Sequence, residues 1–258
     1  MNEALAPRGE RLQKLLAAWG LGSRRGIEQW LRDGRVTLNG RPAALGDRAL
    51  PGDRIAVDGR ELTAPSVPSV GASTGEVLVY HKPLGEVTTR HDPQGRPTVF
   101  DRLPAPSAGR WVVVGRLDVN TSGLLLFTSD GALAHRLMHP SFAAEREYLV
   151  RLRAPPGSAA ALDDLQRGVQ LDDGPARFAR LVPLPGEGRG KAFRVALHEG
   201  RNREVRRLWE AVGCEVSRLK RIAYAGVRLP DDLSAGAARL LSAMEVERLQ
   251  QQHRPTGG

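Results

Sequence analysis

Residues 115 to 131 read Gly-Arg-Leu-Asp-Val-Asn-Thr-Ser-Gly-Leu-Leu-Leu-Phe-Thr-Ser-Asp-Gly and set one carboxylate, Asp118, in a short polar stretch between two apolar runs. The preceding run, Trp111 to Val114, and the following one, Leu124 to Phe127, have the length and composition of buried strands. A polar loop held between two buried strands is a rigid platform for a side chain. Asp118 is therefore the first candidate for a reactive group. An aspartate followed by Asn-Thr-Ser-Gly is, on its own, more often an Asx turn or a cap, so the remainder of the chain has to decide.

At 258 residues the chain can bury a substantial core in one or two domains. Its 38 Lys and Arg against 29 Asp and Glu leave a formal charge of +9. That surplus suits a polyanionic partner, and the lack of a long apolar segment favours nucleic acid over a membrane. Cys214 is the one cysteine, which excludes an intrachain disulfide and a cysteine-based zinc site. Residues 1 to 8 lack the apolar core of a signal peptide, so a cytoplasmic protein is expected. His81, His91, His135, His139, His198 and His253 show no metal-ligand spacing. There is no P-loop and no dinucleotide fingerprint either, so neither a metal nor a cofactor is expected.

Residues 62 to 75 are rich in Pro, Ser, Gly and other small residues and carry no charge, as a linker does. The expected division is 8–62 for a first domain, 63–75 for the linker, 76–250 for a second domain and 251–258 for a tail. In the first domain a helix is expected from Glu10 to about Trp19, with Leu12, Leu15, Leu16 and Trp19 on one stripe. Ser23 is a fitting N-cap for a second helix ending near Gly34, with Ile27, Trp30 and Leu31 inward. Short strands follow at Val36 to Leu38, before the Asn39-Gly40 turn, and at Ile55 to Val57, before Asp58-Gly59. Arg11, Lys14, Arg24, Arg25 and Arg32 fall largely off the apolar stripes.

The second domain has strand candidates at 76–80, 111–114, 123–128, 148–152 and 193–197, and helix candidates at 132–138, 159–168, 202–212 and 243–251. Surface loops are expected at 154–161 and 183–190. Strands outnumber helices without a βαβ rhythm, which predicts an α+β fold on a mixed, mostly antiparallel sheet.

Three further clusters accompany Asp118. His81-Lys82-Pro83-Leu84-Gly85 reads as a Pro/Gly turn after a strand, with an exposed lysine as the ordinary outcome. In Arg146-Glu147-Tyr148-Leu149-Val150-Arg151-Leu152, alternation puts Tyr148, Val150 and Leu152 on one face. The usual fate of such a tyrosine is to fill core. In Glu199-Gly200-Arg201-Asn202-Arg203-Glu204-Val205-Arg206-Arg207-Leu208-Trp209, a helix would bury Val205, Leu208 and Trp209 and leave Arg203, Arg206 and Arg207 on a polar side.

Taken together, Val114 to Leu124, the Gly-Arg-Asn-Arg-Glu-Val-Arg-Arg phrase at 200–207 and Val216-Ser217-Arg218-Leu219-Lys220-Arg221-Ile222 resemble the RsuA/RluB-type ribosomal RNA pseudouridine synthases. The phrases Arg-Leu-Gln-Lys-Leu-Leu at 11–16, Gly-Leu-Gly-Ser-Arg-Arg at 20–25, Gly-Arg-Val-Thr-Leu-Asn-Gly at 34–40 and Pro-Gly-Asp-Arg-Ile at 51–55 resemble the S4 RNA-binding module. The resemblance implies a cofactor-free synthase with Asp118 as catalytic aspartate and Tyr148 packed on the target base. It implies that Arg206 pairs with Asp118, that Leu219 lines the pocket, that Arg116 supports it and that the Lys82 turn borders the cleft. RNA contacts are expected from Arg11, Lys14, Arg24, Arg25, Arg32, Lys82, Arg201 and Arg203. The Asn-Thr-Ser-Gly after Asp118, residues 92 to 100, and Arg-Asn-Arg-Glu-Val-Arg-Arg-Leu-Trp lean toward the RluB branch. The expected partner is then large-subunit ribosomal RNA or its assembly intermediate, with no membrane, and the chain acts as a monomer. The alternatives are a non-catalytic RNA-binding or ribosome-assembly protein, which would need no Asp118, Tyr148 and Arg206 constellation, and a related synthase for small-subunit RNA.

Overall fold

A computed structural model describes residues 9–18, 21, 24–50, 52–62, 75–185 and 191–253. The chain divides into two compact units, residues 1–73 with 108–110, and residues 74–107 with 111–258. The expected linker at 63–75 lies, up to residue 74, outside the described residues. So do Trp19, the expected cap Ser23 and the last five residues of the expected tail.

The first unit runs β1 (Glu10–Arg11), α1 (Leu12–Ala18), α2 (Arg24–Arg32), β2 (Val36–Leu38), β3 (Arg41–Pro42), β4 (Arg48–Ala49), β5 (Ile55–Val57) and β6 (Arg60–Leu62). Leu12, Leu16, Ile27 and Leu31 on the helices and Val36, Leu38 and Ile55 on the strands form its core. Glu10 and Arg11 extend rather than coil, because they pair with β4. The helix therefore starts two residues later than its periodicity suggests. Asn39 and Gly40 both take positive φ (51° and 81°), as the two-residue turn joining β2 to β3 requires. Asp58 and Gly59 do the same between β5 and β6.

The second unit is built on one nine-stranded sheet. Its elements are β7 (Val77–Lys82), β8 (Val112–Val114), β9 (Ser122–Thr128), α3 (Gly131–Met138), β10 (Arg146–Leu152), α4 (Ala159–Arg167), β11 (Val169–Leu171), β12 (Gly174–Ala176), β13 (Arg180–Pro183), β14 (Ala192–Leu197), α5 (Glu204–Ala211), β15 (Val216–Tyr224), β16 (Val227–Arg228), β17 (Ala238–Leu240) and α6 (Ala243–Gln252). The strand order is β13-β14-β10-β15-β9-β7-β17, with β8 added on β9 and β16 on β15. All pairs in this sheet are antiparallel except β15 with β9, so the sheet is mixed and mostly antiparallel. Helix starts follow local chemistry. Asp130 accepts from the amides of Ala132 and Leu133, Ser158 from Ala161, and Ser242 forms a capping box with Glu245.

The apolar runs of β7 and β9 are continuous because both faces are covered. Leu78, Tyr80, Leu125 and Phe127 enter one core with Trp209 of α5, while Val77, Val79, Leu124 and Leu126 enter another with Leu133 of α3 and Leu249 of α6. Beyond β15 the burial alternates, as in β10, where Tyr148, Val150 and Leu152 are buried and Arg151 is exposed. Among the described residues no helix is long and apolar enough to cross a membrane.

Candidate active site

Between β8 and β9 the chain from Gly115 to Thr121 is held by its own carbonyl groups. Arg116 O accepts from Arg221 Nη1 (3.4 Å), Leu117 O from Thr88 Oγ1 (2.8 Å) and Val119 O from the amide of Gly85 (2.9 Å). Asn120 O accepts from Arg206 Nη2 (2.8 Å) and Thr121 O from Lys82 Nζ (2.9 Å). The amide of Thr121 closes a turn on Asp118 O at 3.0 Å. Leu117 is buried and points its side chain into the main core. Its neighbour Asp118 is thereby left half-buried at the lip of a cavity.

That cavity has a volume of about 550 Å³. Arg116, Asp118, Tyr148, Leu219, Arg201 and Arg203, expected from the sequence to serve the site, all line it. Tyr148 and Leu219 come from the adjacent strands β10 and β15, in the phase that faces α5. Arg116 and Arg203 are exposed at its rim. Arg203 sits at the turn into α5 with φ of 51°.

Arg206 departs from expectation. Its guanidinium binds the backbone carbonyls of Asn120 and Val216 (3.0 Å), and no ion pair to Asp118 within 4.0 Å occurs among the described residues. It lines a separate depression behind the loop, with Leu84, Val119 and Asn120. The reason is geometric: a fork of N–H groups in a buried position reaches unsatisfied loop carbonyls before it reaches the side chain. Asp118 still acts on it through space, opposing the burial and the nearby Arg203 that lower its affinity for the proton.

Lys82 departs as well. Expected at the RNA surface, it is fully buried and donates to Pro83 O and Thr121 O, both at 2.9 Å. It therefore cannot be a surface RNA contact in this conformation. Burial lowers its pKa to about 8, against the opposing pull of the Glu86 and Asp118 carboxylates. Arg201 is likewise committed within the protein. It forks onto Glu199 at 2.9 Å through two nitrogens and reaches Asp173 and the carbonyls of Gly174 and Pro175. Asp173, in the β11–β12 turn, is held down to about 2, first by its hydrogen bonds from Arg207. In the first unit Arg11, Lys14, Arg25 and Arg32 are exposed, with Lys14 paired to Glu10 at 2.5 Å. Arg24 opens α2, and its side chain lies outside the described residues.

Four residues lining the cavity, Arg221, Arg146, Tyr224 and Glu204, were not singled out from the sequence. Arg221 is buried on β15 and joins Leu124 O (2.8 Å) to Arg116 O. Arg146, also buried, donates to Ala144 O, His198 O and the hydroxyl of Tyr224. The Tyr224 ring has guanidinium groups 4.6 and 4.9 Å from its centre, from Arg146 and Arg221 respectively. Glu204 accepts the amide of Arg201 (2.9 Å), and burial, then the nearby Glu199, raise its pKa to about 7. One signal was available: Arg146 and Arg221 share the strand phase of Tyr148 and Leu219, and a charged residue in a buried phase marks a polar interior. Thr121 Oγ1, Glu204 Oε1, Arg206 Nε and Arg221 Nη2 are buried with no hydrogen-bond partner among the described residues.

The comparisons with known proteins concern these same regions. A sequence profile described as RNA pseudouridylate synthase matches residues 76–211, and an S4 domain profile matches residues 10–55. The chain is 51% identical over 244 residues to the ribosomal large subunit pseudouridine synthase B of Xanthomonas campestris pv. campestris, covering 93% of this chain and 49% of that protein. It is 55% identical over 229 residues to the protein of the same name in Escherichia coli (strain K12), covering 88% and 77%. The chain thus spans about half the length of the first of these relatives. A crystal structure of a pseudouridylate synthase superposes with a TM-score of 0.64 at 29% identity, covering 93% of this chain and all of that one.

Proposed function

Because the chain belongs to the RNA pseudouridylate synthase family, we propose that it converts a uridine of large-subunit ribosomal RNA to pseudouridine, with Asp118 as the catalytic carboxylate. The observation that carries this reading is the single cavity shared by Asp118, Tyr148, Leu219 and the rim arginines. The reaction is an isomerisation. The N1–C1′ bond breaks, the uracil turns and a C5–C1′ bond forms. The C5 proton leaves and N1 gains one, so no cofactor is consumed.

A uridine inside RNA must first leave its stack, at a cost of a few kcal/mol. Tyr148 supplies a face for the extruded base, and stacking of this kind is worth about 1–3 kcal/mol. Leu219 closes the apolar side, and Arg116 and Arg203 at the rim take the neighbouring phosphates. Asp118 then acts at the sugar or the base. Arg206 and Lys82 serve it by fixing the carbonyls of Asn120 and Thr121 and by placing positive charge beneath the loop. Residues 8–62 dock structured RNA, 63–75 connect, 76–250 hold the chemistry and 251–258 form a tail. The protein works as a cytoplasmic monomer, on free ribosomal RNA or on an assembly intermediate.

Tritium release from RNA carrying 5-tritiated uridine tests the assignment. Asp118→Asn is expected to abolish release while RNA affinity stays within about twofold, since the amide keeps the shape and loses the charge. Normal turnover by that variant overturns the reading. Mapping pseudouridines in ribosomal RNA from cells with and without the gene identifies the nucleotide.

A further inference from the structure

Among the described residues, β7 and β9 are covered on both faces, while β10, β14 and β15 expose charged side chains on the face away from the main core. Phe193, Val195, Tyr148, Val150, Val216 and Leu219 of β14, β10 and β15 face the main core. The intervening positions face away from it. On β10 these are Glu147, Leu149 and Arg151, on β14 Arg194 between the buried Ala192 and Ala196, and on β15 Arg218 and Lys220. The register brings the cations together. Arg151 lies directly opposite Arg218, while Arg194 and Lys220 flank Leu149 from either side. Arg151, Arg194 and Arg218 are exposed, and Lys220 is half-buried.

The carboxylate on these positions, Glu147, is already held by Arg180 at 2.9 Å. Among the described residues none offers Arg194, Arg218 or Lys220 a carboxylate within 4.0 Å. The face carries no aromatic ring, so it suits charge rather than base stacking. It is also joined to the candidate active site, because Lys220 pairs with Ser122, four residues after Asp118.

We propose that this open face of the sheet is a second RNA-docking surface, on which Arg194, Arg218 and Lys220 receive the phosphate backbone of RNA flanking the target uridine. The inference rests on the synthase reading for the identity of the RNA. Arginine suits the role because its planar fork matches phosphate oxygens. Recognition here is through charge and is independent of base sequence.

The test uses the full chain with Arg194→Gln, Arg218→Gln and Lys220→Gln combined. Binding to a large-subunit ribosomal RNA transcript is measured by fluorescence anisotropy across a salt series, beside tritium release and thermal unfolding. Affinity is expected to fall at least tenfold at moderate salt. The slope of log affinity against log salt shrinks by about 2, as roughly 0.7–0.9 is lost per phosphate contact. KM rises correspondingly, kcat stays within twofold, and the unfolding temperature is unchanged. Unchanged affinity and slope overturn the proposal, as does a loss confined to kcat. If the unaltered chain binds RNA but releases no tritium, the synthase reading fails, and the anisotropy arm still decides this surface.

Discussion

Arg221 donates from Nε to Leu124 O and from Nη1 to Arg116 O, so one side chain ties the strand after the Asp118 loop to the stretch before it. A lysine carries the charge on a single nitrogen and lacks the separate Nε and Nη1 donors with which the guanidinium spans Leu124 O and Arg116 O. Arg221→Lys is therefore expected to lower kcat at least tenfold, about 1.4 kcal/mol of transition-state stabilisation, with RNA affinity within about twofold. Single-turnover tritium release beside anisotropy checks this, and a purely affinity-based loss would contradict it. Lys82 makes a separate prediction through pH. Its folded pKa of about 8 lies below the 10.5 of an unperturbed lysine, so the unfolded chain binds the proton more tightly. Stability linked to this group therefore rises as pH climbs from 8 to 10.5, and the contribution is lost as pH falls through 8. Urea unfolding at pH 7.5 and pH 10 is expected to move the gap between the native chain and Lys82→Met in favour of the native chain at the higher pH. A gap that stays constant would mean that Lys82 titrates as it does in water. The sequence made Lys82 visible as part of a turn but not its burial, because the carbonyl that holds it comes from residue 121.

At the scale of elements, the parallel contact between β9 and β15 sets how the loop and the pocket strands meet. Gly123 is where the two backbones approach most tightly. A Cβ there would lie 2.2 Å from Arg221 O, and its φ of 107° is one that residues with side chains rarely adopt. Neither backbone can retreat, since β9 also pairs with β7 and β8 and β15 with β10. Gly123→Ala is expected to cost at least about 3 kcal/mol, combining backbone strain with overpacking. Denaturant unfolding measures it, and a cost below 1 kcal/mol would show that the strands separate easily. The strand expected at 123–128 was legible because β9 is covered on both faces and so reads as an apolar run. β11, β12, β13, β16 and β17 were not. They are two to four residues long, too short for periodicity to register, and are defined by pairing with distant segments.

Across the whole molecule, the two units have separate cores, one built around Leu12, Leu16 and Ile27 and the others around the nine-stranded sheet. Composition offers a division at 62–75, a run without charge or clear period, as a linker is. The loop setting of Asp118 and the strand settings of Tyr148 and Leu219 were readable, because each follows from the residue's own neighbours. Arg206 was readable as a residue but not in its bonds. What it touches depends on which carbonyls a folded loop leaves open, and that is decided 86 residues away at Asn120. The separation of cores leads to a prediction about charge. Arg11, Lys14, Arg25 and Arg32 are exposed on a unit whose core does not include the cavity residues. Replacing all four by glutamine is expected to leave kcat within twofold, because no group lining the cavity changes. KM for a structured ribosomal RNA transcript is expected to rise at least tenfold and the salt slope to fall by 2 or more, as the proposed RNA docking by this unit requires. Steady-state tritium release at several salt concentrations separates the two quantities. A drop in kcat without a change in salt slope would mean that the first unit acts on the chemistry rather than on RNA capture.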